Sequence, residues 1–173
     1  MALFNRKIVL IGMPGSGKTT VGRQLAQEMN LAFIDMDEEI VKREGRSIAE
    51  IFSADGEDYF REVENKVLQA ILGGSEHCIV ATGGGAPCFF DSMEVINKNG
   101  ISVFIDETVE ELVVRMGRGE VSKRPKLYSE KQNVNELLEE LFQKRKPFYN
   151  QAGLRWSSEE GLQRLIEKIK KAD

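Results

Sequence analysis

Cysteine and histidine are scarce in this sequence, which has two cysteines and one histidine among its 173 residues. Cys78 and Cys88 form no C-x-x-C pair, so nothing suggests a disulfide framework. His77 lies outside any Cys/His cluster, which excludes a zinc site of the usual composition. A chain of this length can bury a core without such crosslinks. We therefore expect one globular domain spanning residues 1–173.

Long apolar segments are also missing. No hydrophobic run approaches the roughly 20 residues that cross a bilayer, and residues 1–7 lead into a strand-like run without the apolar region of a signal peptide. We therefore expect a cytoplasmic protein with no membrane partner. The 24 Lys and Arg residues and 28 Asp and Glu residues give a net charge of −4. This balance argues against a broad nucleic-acid-binding surface, so we expect no nucleic-acid partner.

Short apolar runs alternate with longer segments of helical period. The runs predicted to be buried strands are residues 8–11, 32–34, 78–81, 101–105 and 154–156. Ser47 and Glu50 have the spacing of a capping box at a helix start, and Gly73–Gly74 is expected to close a helix that begins near Glu57. This alternation predicts parallel βαβ units, and hence a three-layer α/β/α fold around a central five-stranded parallel sheet.

The strongest motif is the segment Gly12–Thr20, which satisfies G-x-x-x-x-G-K-[ST] between a predicted strand and a predicted helix. Its glycines let consecutive backbone N–H groups point into one concavity that holds phosphate oxygens. Lys18 can neutralise charge between the β- and γ-phosphates, and the Thr19 hydroxyl is placed to bind Mg²⁺. The alternative is a glycine-rich turn with an exposed lysine.

A phosphate loop predicts a bound nucleotide but no particular reaction, since switches, motors and small-molecule kinases share it. Asn97-Lys-Asn-Gly100 fails the N-K-x-D element of guanine-specific GTPases, because glycine replaces the aspartate. The strand at 78–81 ends in Thr82-Gly83 rather than in the acidic residue of a Walker B strand. These absences favour a small kinase.

Two carboxylates, Asp35 and Asp37, follow the second predicted strand. In extended chain their side chains would point the same way, at the edge where open α/β sheets bind ligands. We assign Asp35 to Mg²⁺ and Asp37 to a substrate hydroxyl that it orients for in-line attack. The alternative is that Asp37 only caps the next helix.

Arginines and a glycine triplet supply further candidates. Arg61 and Glu64 share one face of a predicted helix, and the alternative is a surface ion pair. Gly83–Gly85 follow a predicted strand, where backbone can approach a ligand closely; the alternative is a tight turn. Arg145 precedes Pro147, which we expect to end the helix, so Arg145 could instead be a solvated charge in the last turn.

The segment 115–125 places four cations, Arg115, Arg118, Lys123 and Arg124, around two glycines. A basic, hinged loop can close over phosphates, exclude water and stabilise the charge of a transferred phosphoryl group. An ordinary solvated loop is the alternative.

Taken together, these motifs resemble shikimate kinase over nearly the whole chain. The carriers of the resemblance are Gly12–Thr20, Asp35-Met-Asp37, Gly45–Ile48 with Ile51–Phe52, Gly56-Glu57 with Phe60-Arg61-x-x-Glu64, Gly83–Gly85, Arg124-Pro125 and Arg145-x-Pro147-x-Tyr149. The resemblance implies a nucleoside-monophosphate-kinase-like P-loop fold with a helical substrate-binding region at about 36–64 and a mobile lid at about 115–130. It implies transfer of a phosphoryl group from ATP to the 3-hydroxyl of shikimate, in aromatic amino acid biosynthesis, and a monomer.

The resemblance also assigns roles to individual residues. It gives shikimate to Asp37, Arg61, Gly83, Gly84, Gly85 and Arg145. It gives ATP to Gly15, Ser16, Gly17, Lys18, Thr19 and Thr20, with Arg124 reaching the phosphates and Arg115 against adenine. Lys18, Asp37 and Arg124 are thus the catalytic candidates, and Mg²⁺ is the expected cofactor. The family's late adenine-contacting loop is not recognisable near Arg155-Trp156.

Two competing functions stay open from the sequence. One is another small kinase of the same fold, such as a gluconate or nucleotide kinase. The other is a nucleotide-binding regulatory module without turnover. Asp37 and the arginine pair Arg61 and Arg145 favour an enzyme, because a nucleotide sensor does not require them.

Overall fold

The predicted strands form one parallel sheet in the computed structural model, which describes residues 6–117 and 134–173. Within these residues the strands are β1 (Lys7–Ile11), β2 (Ala32–Asp35), β3 (Cys78–Ala81), β4 (Gly100–Ile105) and β5 (Leu154–Trp156). They lie in the order β2-β3-β1-β4-β5, and all of the pairings are parallel. The predicted five-stranded parallel sheet is confirmed.

Helices cover both faces of the sheet. In the described ranges they are α1 (Lys18–Met29), α2 (Met36–Glu44), α3 (Ile48–Gly73), α4 (Ser92–Asn99), α5 (Val109–Gly117), α6 (Val134–Tyr149) and α7 (Leu162–Ala172). Of these described helices, none is long and apolar enough to cross a membrane.

The core has two parts because successive side chains of a strand point to opposite faces. From β1, Ile8 and Leu10 pack in one cluster that includes α1 and α7 residues. Val9 and Ile11 pack in the other, which holds α3, α4, α5 and α6 residues. All four side chains are fully buried. The predicted three-layer α/β/α architecture is therefore present, and its central strand is covered on both sides.

Helix α3 has a sharp bend near its start. Ser47 forms the predicted capping box, in which its Oγ accepts a hydrogen bond from Glu50 N at 3.2 Å and Glu50 Oε2 accepts one from Ser47 N at 2.7 Å. Gly56 interrupts the helix with φ 81° and ψ −179°, a backbone conformation that favours glycine. The helix resumes at Glu57 and ends at Gly73, as the sequence predicts.

Helix α6 does not end before Pro147, as we expected, but continues to Tyr149. Proline removes one helical hydrogen bond. Tertiary packing compensates, because the ring of Tyr149 is fully buried and stacks on Phe104 with 5.1 Å between centroids. Arg145 consequently lies inside the helix, one turn before its end.

Sheet order decides what lies at the ligand-binding edge. The segment after β1 is Gly12–Thr20, β2 ends at Asp35, and β3 is followed by Thr82–Gly85. Because β2, β3 and β1 are neighbours, the carboxyl ends of these strands bring the three segments side by side.

Candidate active site

The phosphate loop turns sharply from β1 into α1. Gly17 caps α1 in a left-handed conformation with φ 92°. Gly12 has φ 147°, and a β-carbon there would lie 2.7 Å from the carbonyl oxygen of Ile105. The loop wraps around Ser16, whose side chain is 1% exposed and whose Oγ has no hydrogen-bond partner among the described residues. A buried hydroxyl in this position is available for a ligand oxygen.

Lys18 lies inside this loop rather than in solvent. Its side chain is largely buried, and its Nζ donates to the carbonyl oxygens of Gly12 at 2.9 Å and Met13 at 2.8 Å. The ammonium group is therefore held at the centre of the loop. The alternative of an exposed lysine on a simple glycine-rich turn is wrong.

Thr19 and Asp35 meet beside the loop. Thr19 Oγ1 donates to Asp35 Oδ2 at 2.7 Å, while Asp35 Oδ1 accepts a hydrogen bond from the backbone N–H of Asp37 at 2.9 Å. Asp35 is thus the N-cap of α2. The two oxygen-bearing side chains, Thr19 and Asp35, form a hard donor pair of the kind that Mg²⁺ uses together with water and phosphate oxygens.

The placement of Asp37 corrects the expected geometry. We expected extended chain between Asp35 and Asp37, but α2 begins at Met36, so Asp37 stands in its first turn. The alternative that Asp37 caps this helix is also wrong, because Asp35 is the cap. Both carboxylates nevertheless line the same cavity.

Arg61 and Glu64 form a buried ion pair. Arg61 Nη1 donates to Glu64 Oε2 at 2.7 Å, and Arg61 Nη2 donates to Glu57 Oε1 at 3.2 Å. Glu64 is 2% exposed, and burial raises its pKa while the Arg61 guanidinium opposes that rise. The Nε atom of Arg61 is buried and unpartnered within the described ranges. A surface ion pair is therefore the wrong description of this motif.

Charged side chains approach the backbone of the glycine triplet Gly83–Gly85 closely. A β-carbon at Gly83 would lie 2.5 Å from Glu64 Oε1, and one at Gly85 would lie 2.5 Å from Arg61 Nη1. A β-carbon at Gly84 would lie 3.0 Å from Nη1 of Arg145. A side chain at any of these positions would have to displace one of the charged groups, so the triplet allows them to approach the backbone closely.

Arg145 reaches the triplet from α6. Its Nη1 is buried without a hydrogen-bond partner in the part of the chain that the structure describes. Tyr149, one turn later, donates its hydroxyl to the carbonyl oxygen of Gly84 at 2.6 Å. Burial raises the pKa of this Tyr149 hydroxyl well above its ordinary range, so it remains a donor. Tyr149 fixes the triplet, a role that its position in the sequence did not indicate.

Most of these groups line one cavity of about 1130 Å³. Its walls include the predicted site residues Gly15, Gly17, Lys18, Thr19, Thr20, Asp35, Asp37, Arg61, Gly83, Gly84, Gly85, Arg115 and Arg145. Arg124 lies outside the described residues, as does most of the expected lid. The phosphate loop and the acidic and basic side chains therefore face one shared space.

Arg115 belongs to helix α5 rather than to a loop. Its Nη1 donates to the carbonyl oxygen of Ser16 at 2.9 Å, and its Nε donates to Glu111 at 2.9 Å. Its Nη2 lies 3.1 Å from Ser158 Oγ and 3.3 Å from Glu107 Oε2. The guanidinium thus joins the phosphate loop to the segment after β5.

Glu107 is a buried neighbour of Arg115 that no sequence motif marks. It is 7% exposed and accepts hydrogen bonds from Ser158 N at 2.7 Å and Ser158 Oγ at 3.0 Å. The capping-box spacing of Ser157 and Glu160 predicts the turn that carries Ser158, but it gives no information on this partner. The contact depends on the pairing of β4 with β5.

Known proteins match this chain over almost its full length. The family model for shikimate kinase matches residues 14–172. A shikimate kinase of Parabacteroides distasonis is 39% identical over 160 residues, which cover 91% of this chain and 90% of that protein. The crystal structure of shikimate kinase from Bacteroides thetaiotaomicron has a TM-score of 0.84 at 35% identity, covering 95% of this chain and 98% of the other. Shikimate kinase from Acinetobacter baumannii, solved in complex with shikimate, has a TM-score of 0.88 at 32% identity, covering 97% and 94%.

Proposed function

Since the chain belongs to the shikimate kinase family, we propose that its cavity holds ATP against Gly15–Thr20 and shikimate between Asp37, Arg61 and Arg145. The reaction is transfer of the γ-phosphoryl group of ATP to the 3-hydroxyl of shikimate. The proposal includes a cytoplasmic location, a monomeric state, and the division of residues 1–173 into one kinase domain with a substrate-binding region at 36–64 and a lid at 115–130.

One observation carries the acceptor site. Arg61 Nε and Arg145 Nη1 are both buried, both lack a hydrogen-bond partner among the described residues, and both belong to side chains on the same cavity. Leaving the N–H donors of a charged group buried without hydrogen-bond partners is costly. A carboxylate satisfies such donors with strong, charge-assisted hydrogen bonds. Shikimate is a small carboxylate with hydroxyl groups, so it matches the pair.

The nucleotide end of the cavity is equally specific. We place the triphosphate at the positive end of α1, beside the Lys18 ammonium and the Ser16 hydroxyl, which has no hydrogen-bond partner among the described residues. Thr19 and Asp35 fit Mg²⁺, because each offers a hard oxygen ligand and the phosphates would supply more. A metal ion held by these two residues would supply positive charge that offsets the charge of the phosphates.

Asp37 is the group that we place on the reacting hydroxyl. A β-carbon at Gly83 would lie 3.4 Å from Asp37 Oδ1, so this carboxylate faces the glycine triplet and hence the acceptor end of the cavity. From there it can accept a hydrogen bond from the 3-hydroxyl, orient its oxygen for in-line attack and take up its proton. Positioning and charge stabilisation by Lys18 provide most of the remaining rate enhancement.

Two arginines complete the proposal at the nucleotide. Arg115 uses its N–H groups on protein acceptors, which fixes the plane of its guanidinium on the cavity wall. A fixed planar cation of this kind can lie flat against adenine. Arg124, from the lid, is proposed to reach the transferred phosphoryl group.

The acceptor site is tested by substitution of Arg145. In a coupled ADP-release assay we expect Arg145→Ala to raise the KM for shikimate by about ten- to a hundredfold, because hydrogen bonds to charged groups contribute about 1.5–3 kcal/mol. The KM for ATP should change less than about twofold. Arg164→Ala is the matched control, since Arg164 is exposed and its salt bridge with Glu167 lies at the surface. Equal losses for both substrates would contradict the assignment.

A further inference from the structure

Arg61 is held by more than its two carboxylates. The centroid of the Phe89 ring lies 4.3 Å from Cζ of the guanidinium, closer than the 5.2 Å of its chain neighbour Phe60. Both distances fall within the range of a cation–π interaction. Phe89 stands outside the motifs that indicate the function, and it is not among the residues that line the cavity.

Phe89 comes from the same segment as the glycine triplet. After Gly85 the chain makes one short turn, Ala86–Cys88, held by a hydrogen bond from Cys88 N to Gly85 O at 2.9 Å. That turn places the Phe89 ring beside the guanidinium that Gly85 already approaches. One segment therefore contacts Arg61 twice, once through backbone and once through a ring.

Phe60 cannot supply this contact in the same way. It is 4% exposed and packs against Phe52 with 4.5 Å between ring centroids, so its orientation is set by the core. Phe89, in contrast, is 37% exposed. Its ring lies between the guanidinium and solvent. In this position its main physical effect is to restrict the motion of the charged side chain.

We propose that Phe89 is a positioning residue for shikimate binding. Its ring restricts the Arg61 guanidinium to the plane in which Nη1 donates to Glu64 and Nη2 donates to Glu57. In this plane Nε remains directed at the carboxylate of the proposed acceptor. An arginine has several rotatable bonds, so a group that restricts them reduces the ordering that substrate binding requires. The inference rests on the proposed acceptor site and adds a determinant of its affinity.

Phe90 provides a matched control. It is the next residue, carries the same side chain and is 60% exposed. Its φ of 53° is also unusual for a residue other than glycine. Any effect of disturbing this loop should therefore appear with Phe90 as readily as with Phe89.

The experiment compares Phe89→Leu, Phe89→Tyr and Phe90→Leu in the full chain. Leucine keeps apolar bulk without an aromatic face, whereas tyrosine keeps the face. We expect Phe89→Leu to raise the KM for shikimate about three- to fivefold, with kcat, the KM for ATP and the unfolding temperature nearly unchanged. Phe89→Tyr and Phe90→Leu should behave as the original protein. An unchanged KM for shikimate in Phe89→Leu, or an equal rise for ATP, would overturn the proposal.

A second comparison separates this inference from the acceptor site itself. In an Arg61→Ala background, Phe89→Leu should leave kcat/KM for shikimate unchanged, because the group that it positions is gone. A further loss there would overturn the positioning role. If Arg61→Ala alone leaves the KM for shikimate unchanged, the acceptor site fails. If Arg61→Ala raises it and Phe89→Leu does not, only the role of Phe89 fails.

Discussion

At the scale of single residues, the candidate site is distinguished by buried polar groups. Ser16 Oγ, Arg61 Nε and Arg145 Nη1 are buried without hydrogen-bond partners among the described residues. Buried polar groups are usually paired, so exceptions call for an explanation. Arg61 and Arg145 line one cavity, and Ser16 lies between two further lining residues, Gly15 and Gly17. In the proposed complex a phosphate and a carboxylate satisfy these donors, which are therefore preorganised for anions.

Asp37 offers a direct test of the chemistry at this scale. We expect Asp37→Asn to lower kcat by about a hundredfold or more, because asparagine retains a polar side chain but cannot accept the hydroxyl proton. The KM for ATP and the unfolding temperature should stay nearly constant. Glu38→Gln is the control, since Glu38 is the next residue and its side chain is 67% exposed. A kcat for Asp37→Asn within tenfold of the original would show that the carboxylate has another role.

At the scale of elements, the start and bend of α3 position the side chains that the proposal assigns to the acceptor. The capping box at Ser47 fixes the first turn, and the break at Gly56 redirects the segment that carries Glu57, Arg61 and Glu64. The same helix thus contributes two differently oriented pieces, of which the second faces the glycine triplet.

The capping box yields a stability prediction. Ser47→Ala should lower the free energy of unfolding by about 1 kcal/mol, or the unfolding temperature by about 2–4 °C, because an orphan backbone N–H loses its acceptor. Ser53→Ala, in the same helix, should have little effect, since alanine is the better helix former in an interior position. Thermal unfolding followed by circular dichroism measures both. Equal shifts for the two variants would contradict the role of the cap.

The pH dependence of this effect has a defined sign. Hydrogen bonds from Ser47 lower the pKa of Glu50 below its ordinary value of 4.5. A carboxyl group whose pKa is lower in the folded state stabilises the fold at pH values above its pKa in the unfolded state. That contribution is lost as the pH falls through the pKa of the folded state. The difference between the original protein and Ser47→Ala should therefore shrink as the pH falls below about 4.5.

At the scale of the whole molecule, the sheet brings segments that are distant in sequence together at one of its edges. Asp37, Arg61, the triplet at 83–85 and Arg145 are spread over more than a hundred positions of the chain, yet they line one cavity. The sheet also ties the two parts of the core together, because its central strands contribute side chains to both. We expect such a structure to unfold as a unit.

Cooperativity and oligomeric state test this view of the whole chain. We expect a single calorimetric transition whose enthalpy agrees with the van't Hoff value, and a sedimentation equilibrium mass of one chain. Saturating shikimate and ATP should move the same transition upward, since both bind only the folded state. Two separate transitions would contradict a single domain, and a mass of two chains would contradict a monomer.

Much of the fold was predictable because its signals are local. The strands Cys78–Ala81 and Leu154–Trp156 have the predicted bounds, since short apolar runs are read from adjacent residues. The phosphate loop, Asp35 and the arginines could be selected as candidates for a similar reason, because each offers groups whose chemistry suits phosphate, metal or carboxylate.

What local sequence could not determine are contacts that depend on how separate elements meet. Examples are the hydrogen bond from the Tyr149 hydroxyl to Gly84, the contact of the Phe89 ring with the Arg61 guanidinium, and the hydrogen bond from Ser158 to Glu107. The continuation of α6 past Pro147 is a further case, because burial of Tyr149 outweighs the local preference of proline. Sequence alone therefore determined the fold class and the candidate residues of the site. The tertiary structure decided which groups hold that chemistry in place, because burial and close approach are set by pairing across the whole sheet.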